Sequence, residues 1–180
     1  MTVGRRAAIG KRRVQPAVAA SLDGEEAASA DAAHAAALRL LTAMARTRAE
    51  LQRRLEERGF ATAAVGEALD RLQRVGLVDD AALAAAIAEG RAARGLDAPA
   101  IALELRDRGL DPALAERAAR AAAPDGLRAD RCREVAEARL AQLAGLDPDV
   151  QLRRLAAYLA RRGYPAELAE AVSRELVGLE

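Results

Sequence analysis

One amphipathic segment is repeated three times along this chain, and this repeat constrains the fold more than any other feature. Each copy carries apolar residues at helical spacing and ends in Arg-Gly followed by one large apolar residue. The three endings are Arg58-Gly59-Phe60, Arg108-Gly109-Leu110 and Arg162-Gly163-Tyr164, and their glycines are 50 and 54 residues apart. A period of this length is typical of stacked helical units. Gly59, Gly109 and Gly163 are therefore predicted structural residues, each closing a helix in the left-handed conformation.

The composition favours helices throughout the chain. Apolar residues make up 52% of the 180 residues, enough for a hydrophobic core, whereas only 2% are aromatic. Alanine and leucine dominate the apolar share, and β-branched residues are scarce, which favours helix over strand. We therefore predict an all-α protein, an elongated tandem array of three three-helix repeats that resemble helix-turn-helix units.

Helix-capping signals predict the domain boundaries. We expect a flexible basic N-terminal tail at 1–30 and three-helix repeats at 31–78, 79–125 and 126–180. Asp79 and Asp80 are predicted structural residues that cap the first helix of the second repeat and complement its dipole. Just before them, Leu77 and Val78 are expected to fold back over the core of the first repeat.

The second helix of each repeat also has a recognisable start. Thr47-Arg48-Ala49-Glu50 is a capping-box sequence, in which the threonine hydroxyl and the glutamate carboxylate satisfy free amides at the helix start. Asp97 and Asp147 are predicted side-chain N-caps at the corresponding points, each with a proline in the first helical turn.

The chain lacks the residue combinations of common catalytic sites. A single histidine, His34, and a single cysteine, Cys132, cannot form a zinc cluster or a serine–histidine–acid triad with a second base. No Gly-Lys-Ser or Gly-Lys-Thr phosphate loop occurs. We expect no enzyme activity, no cofactor, no metal and no small-molecule substrate. The lone cysteine and the lack of any membrane-spanning run predict a cytoplasmic protein with no membrane partner.

The arginines are the best candidates for binding a partner. Basic and acidic residues number 28 and 27, so the net charge does not favour DNA as the sole partner. Arginine forks suit carboxylates or phosphates, although any single arginine is more simply explained as part of the solvated face of an amphipathic helix. The candidate partner-binding residues are Arg46, Arg48, Arg53, Arg54, Arg58, Arg91, Arg94, Arg106, Arg108, Arg153, Arg154, Arg161 and Arg162. Three of them, Arg58, Arg108 and Arg162, directly precede the repeat glycines and also complement a helix dipole.

These motifs together are similar to the RecX family, the regulatory proteins of the bacterial RecA recombinase. Each motif alone is weak evidence for the family, but their order and spacing are specific. The resemblance extends from residue 32 to the end of the chain. One departure is Leu83, which stands where the family usually has an aromatic residue after the Asp-Asp pair. The segments that carry the resemblance are 37–41, 46–60, 69–72, 76–80, 94–95, 101–109 and 153–164.

The resemblance implies a non-enzymatic modulator, most simply an inhibitor, that lies along the groove of the RecA filament on single-stranded DNA. It implies suppression of strand exchange, ATPase and coprotease activity, in the regulation of DNA repair, homologous recombination and the SOS response. The implied partner is the filament, with single-stranded or double-stranded DNA secondary, and we expect a monomer. The alternative is a DNA-binding module of helix-turn-helix type, which steeply salt-dependent binding to bare DNA would favour.

Overall fold

The computed structural model describes residues 23–179, and all regular structure in that range is helical. The all-α prediction is therefore confirmed. The α-helices are α1 Gly24–Ala28, α2 Ala30–Ala43, α3 Arg48–Glu56, α4 Thr62–Arg74, α5 Asp80–Ala92, α6 Ala98–Asp107, α7 Pro112–Ala122, α8 Arg128–Leu140, α9 Pro148–Arg161 and α10 Ala166–Val177. Short 3-10 turns at Asp125–Leu127 and Ala141–Leu143 lie before and after α8.

The helices pack into three consecutive units. Helices α2 to α4, α5 to α7 and α8 to α10 each form a bundle in which the third helix packs on both of the others. Each bundle has its own cluster of buried side chains, within 33–78, 84–123 and 132–172 respectively. These clusters lie inside the three repeats expected from the sequence, whose exact boundaries stay a prediction.

The repeated segment forms the second helix of each unit and supplies the centre of its core. Two apolar residues on each helix are fully buried, and the large apolar residue after the glycine is at most 7% exposed. The glycines between them have φ values of 94°, 80° and 92° in chain order, so each helix ends in the left-handed conformation. The buried residues are Leu51, Leu55 and Phe60 in the first unit, Ile101, Leu105 and Leu110 in the second, and Leu155, Leu159 and Tyr164 in the third.

The capping box before α3 forms as the sequence indicates. The Glu50 amide donates to Thr47 Oγ1 at 3.0 Å, and the Thr47 amide donates to Glu50 Oε2 at 3.0 Å. The expectation about Leu77 was wrong, because its side chain is 54% exposed while Val78 is 3% exposed. Both amides point back to the Leu72 carbonyl after the turn at Gly76, and neighbouring side chains leave such a turn in different directions.

The predicted N-terminal tail falls mostly on residues 1–22, which lie outside the described residues. Asp23 caps α1 by accepting from the Glu26 amide at 2.7 Å. The Ala61 amide donates to the Ala27 carbonyl at 2.8 Å. The described part of that segment is thus a short helix held against the first unit.

Candidate partner-binding surface

Consecutive units meet end to end through their second helices. The C-terminus of α6 abuts the N-terminus of α3, where Thr47 Oγ1 donates to the Arg108 carbonyl at 2.8 Å. The C-terminus of α9 abuts the N-terminus of α6 in the same way, because the Asp97 amide donates to the Arg162 carbonyl at 2.8 Å. The negative end of one helix dipole therefore meets the positive end of the next, which is favourable. Helices α9, α6 and α3 follow one another head to tail through the array.

Two of the repeat glycines allow this close approach. A Cβ atom placed on Gly109 would lie 2.5 Å from the Ala49 Cβ, and one on Gly163 would lie 2.7 Å from the Ala100 amide nitrogen. Real Cβ atoms do not come this close to other heavy atoms. Glycine is therefore needed at both positions for two separate reasons, the positive φ of the helix end and the contact with the preceding unit.

An ion pair and a hydrogen bond to a backbone amide hold the joint between the first and second units. Arg108 donates from Nε and Nη2 to the two carboxylate oxygens of Glu50, at 2.8 and 3.1 Å. Burial alone would raise the pKa of Glu50, but the hydrogen bonds from Arg108 and from the Thr47 amide outweigh it, so the pKa lies below 4.5. Asp80 joins the same contact by accepting from the Arg48 amide at 2.9 Å, while Asp79 caps α5 through the amides of residues 81 and 82.

A buried carboxylate holds the joint between the second and third units. Asp97 is fully buried and accepts from Arg128 Nε at 2.6 Å and from Arg131 Nη2 at 2.8 Å. The prediction that its side chain caps α6 was wrong, since no cap hydrogen bond forms. A buried charge needs charged partners, and the two arginines of α8 provide them. Arg162 completes this joint by donating to the Arg94 carbonyl.

Several of the predicted partner-binding arginines are thus engaged within the chain. Arg108 and Arg162 belong to the joints between units. Arg91 forms a two-pronged pair with Glu104, its Nε at 2.6 Å from Oε2, and the resulting hydrogen bonds lower the pKa of Glu104 and raise that of Arg91. Arg48 donates to Asp70 at 2.7 Å. These guanidinium groups already have partners within the chain, where they stabilise the array.

The other predicted arginines differ in their surroundings. Arg46 is half-buried, and its Nε has no hydrogen-bond partner among the described residues. The remaining ones are exposed on the second helices or at helix ends, and within residues 23–179 their side chains make no ion pair. They are Arg53, Arg54, Arg58, Arg94, Arg106, Arg153, Arg154 and Arg161.

The structure brings three of these exposed side chains together in one groove. Arg153, Arg154 and Arg161 on α9 and Arg139 on α8 surround a groove of about 610 Å³, with Val150 and Ala157 also lining it. We call these six residues the arginine groove. Within residues 23–179 none of its four guanidinium groups is paired with a carboxylate. The groove therefore gathers four arginines without carboxylate partners at one place on the surface.

Arg139 is the member of the groove that the sequence did not predict. It lies on the first helix of its unit, whereas the predicted set was concentrated on second helices. Its guanidinium carbon lies 5.1 Å from the centre of the Tyr158 ring, and Nη1 donates to Gln142 at 2.6 Å. Arg162 stands 4.5 Å from the same ring centre. Tyr158 therefore positions Arg139 at the edge of the groove.

Two other kinds of feature are absent from the described part of the chain. Between residues 23 and 179 no group of three His, Cys, Asp or Glu side chains is arranged to hold a metal ion. No helix in the same range is long and apolar enough to cross a membrane.

The chain resembles known proteins over most of its length. A family model described as RecX, first three-helix domain, matches residues 33–72, and another described as RecX, third three-helix domain, matches residues 127–172. The Regulatory protein RecX of Thermobifida fusca is 44% identical over 148 residues, covering 79% of this chain and 77% of that protein. The chain belongs to the RecX family. The Regulatory protein RecX of Mycobacterium avium is 41% identical over 147 residues, covering 80% of this chain and 84% of that protein.

Solved structures of RecX proteins share the fold. The crystal structure of RecX from Lactobacillus salivarius matches with a TM-score of 0.68 at 20% identity, covering 82% of this chain and 96% of that one. A second structure, described as regulatory protein RecX, matches with a TM-score of 0.67 at 19% identity, covering 85% and 78%. In this RecX-family chain the two matched domains contain helices α3 and α9, the two ends of the head-to-tail series.

Proposed function

We propose that this chain is a non-enzymatic regulator, most simply an inhibitor, of a RecA-type recombinase. It binds along the groove of the recombinase filament on single-stranded DNA, and it suppresses strand exchange, ATPase and coprotease activity during the regulation of DNA repair. It acts as a cytoplasmic monomer without a cofactor. Membership of a family of regulatory proteins carries this proposal.

The head-to-tail array is physically suited to this role. Its three units are linked in one chain with small contacts at helix ends, so each presents its own outer surface to a long partner. When one unit has bound a periodic filament, the others bind at a high effective concentration. Modest contacts by each unit can then add to a useful affinity, which a single exposed ion pair cannot supply.

The arginines that are paired within the chain leave fewer arginines available to contact the filament. Arg91, Arg108 and Arg162 stabilise units and joints, so their replacement would disturb the array itself. We propose that the exposed arginines of the third unit, Arg153, Arg154 and Arg161, make the contact with the partner.

The decisive experiment measures ATP hydrolysis by a purified RecA-type recombinase on single-stranded DNA while this chain is titrated in. We expect the rate to fall as the chain saturates the filament, with the same dependence in a strand-exchange assay. An unchanged rate together with absence of the chain from pelleted filaments would refute the proposal. Steeply salt-dependent binding to bare DNA, with no effect of added recombinase, would favour the DNA-binding alternative.

A further inference from the structure

We propose that the arginine groove on α8 and α9 binds an acidic amphipathic helix of the protein partner. The bound helix would place small apolar residues over Val150 and Ala157 and carboxylates against the surrounding arginines. This deepens the proposed function and rests on it for the identity of the partner. The chemistry of the bound element follows from the groove itself.

The shape of the groove suits a helix laid against a helix. Val150, Arg154, Ala157 and Arg161 follow one another at intervals of three or four residues and so form one face of α9. Residues 153 to 161 span about 12 Å of α9, or roughly two turns. The short side chains of Val150 and Ala157 let another helix approach closely, and a recognition helix typically contacts such a face through residues three and four apart.

The charge of the groove selects carboxylates. Arg154 and Arg161 make no side-chain hydrogen bond within residues 23–179, and Arg153 reaches only the Asp149 carbonyl, at a long 3.4 Å. Arg139 is held in place by Gln142 and by the Tyr158 ring. Guanidinium forks bind carboxylates with two parallel hydrogen bonds. Four of them around a weakly apolar floor are complementary to an acidic helix with a small-residue stripe.

The same groove is poorly equipped for nucleobases. Proteins that bind single-stranded nucleic acid stack its bases on aromatic side chains. Tyr158 is the aromatic residue next to the groove, and its ring already has Arg162 at 4.5 Å and Arg139 at 5.1 Å. Within residues 23–179 no aromatic side chain lines the groove. A protein segment therefore fits the observed lining better than a nucleic-acid strand.

The first unit contains an arginine pair that matches Arg153 and Arg154 in position. Arg53 and Arg54 follow the N-cap Thr47 of α3 at the same distance as Arg153 and Arg154 follow the N-cap Asp147 of α9. Both pairs are exposed, but Arg53 and Arg54 lie on α3 and line no part of the arginine groove. The R53E/R54E variant therefore changes the net charge as much as R153E/R154E does, without altering the groove.

The test uses the full chain and a synthetic helical probe. A fluorescent peptide of about 20 residues, built from Glu-Ala-Leu-Ala repeats, is long enough to become helical on binding. Its binding is measured by anisotropy with the wild-type chain, R153E/R154E, R153K/R154K and R53E/R54E. Labelled oligothymidylate and a peptide with Gln in place of Glu are measured in parallel. Circular dichroism and urea unfolding verify that each variant is folded.

We expect R153E/R154E to weaken peptide binding at least about tenfold, R153K/R154K to weaken it less, and R53E/R54E to change it by no more than about twofold. The Gln peptide should bind much more weakly than the Glu peptide. Equal losses in the R53E/R54E and R153E/R154E variants would overturn the inference, because any exposed arginine pair would then suffice. Tighter binding of oligothymidylate than of the peptide, lost in R153E/R154E, would also overturn it and assign the groove to nucleic acid.

A recombinase ATPase assay with the same variants separates this inference from the proposed function. Loss of inhibition in R153E/R154E, with inhibition kept in R53E/R54E, would support the groove as the partner site. Full inhibition by R153E/R154E would overturn the inference while leaving the regulatory function intact. Peptide binding by a wild-type chain that does not inhibit the recombinase would instead refute the proposed function and support the chemistry of the groove.

Discussion

Replacing Gly163 with alanine tests the joint between the second and third units. Gly163 has a φ of 92°, and an L residue in the left-handed region costs about 1–2 kcal/mol. The new Cβ would also lie 2.7 Å from the amide nitrogen and 2.8 Å from the Cβ of Ala100. Relieving such an overlap with a neighbouring helix costs about 1–3 kcal/mol more. We therefore expect Gly163→Ala to lower the free energy of unfolding by about 2–5 kcal/mol.

Gly145 provides the matched control in the same unit. Its φ is 84°, and a Cβ placed there would have no neighbour within 4 Å. Gly145→Ala should therefore show only the backbone cost, about 1–2 kcal/mol. Urea unfolding followed by circular dichroism measures both variants under the same conditions.

The difference between the two variants in free energy of unfolding measures the close contact between Gly163 and Ala100 at the joint. A loss at Gly163 larger by about 1–3 kcal/mol than the loss at Gly145 would match the observed overlap with Ala100. Equal losses would refute the reasoning, since they would mean that the two units separate freely and that the helix ends need not touch. A first unfolding transition confined to the third unit would be consistent with the expected result.

Three further predictions concern the joints and the buried thiol. Thr47→Val removes the capping hydrogen bond and the donor to the Arg108 carbonyl. Urea unfolding should therefore show a free energy of unfolding lower by about 1–2 kcal/mol, whereas Thr47→Ser should stay close to wild type. An unaltered unfolding midpoint in Thr47→Val would contradict this. Because the pKa of Glu50 is lower in the folded protein than its ordinary 4.5, its contribution is complete above pH 4.5 and is lost as the pH falls through the folded value. The difference in melting temperature between wild type and Glu50→Gln should therefore be constant from about pH 6 to 8 and shrink in acid, and a difference that grows below pH 4.5 would refute the assignment. Burial, with a smaller effect of Asp97, raises the pKa of the Cys132 thiol to about 11. A thiol reagent at about pH 8 should therefore label Cys132 only after urea unfolding. Rapid labelling of the native protein would contradict the burial of this thiol.

Much of the fold follows from local patterns that the chain repeats. The apolar spacing of the second helix, the left-handed glycine and the capping box each depend on residues within two turns of one another. Leu77 shows where such reasoning fails. Its apolar character predicted burial, but only one of two adjacent side chains after the turn can point into the core, and Val78 occupies that place.

The candidate site was only partly predictable. Arg153, Arg154 and Arg161 share a face of α9, so their proximity follows from helical periodicity. Arg139 was missed because it comes from another helix, and only packing against Tyr158 brings it to the groove. Conversely, the sequence predicted that Arg108 complements a helix dipole, but its ion pair with Glu50, 58 residues away in the chain, depends on how the units pack.

The sequence by itself determined that this protein is helical and built from a repeated unit, and where its second helices begin and end. Those properties depend on side-chain periodicity and backbone preference, which act over a few residues. Only the tertiary structure decided how the units join and which arginines remain unpaired on the surface. Ion pairs such as Asp97 with Arg128 form between residues distant in the chain, and their choice depends on which helix ends are brought together when the units pack.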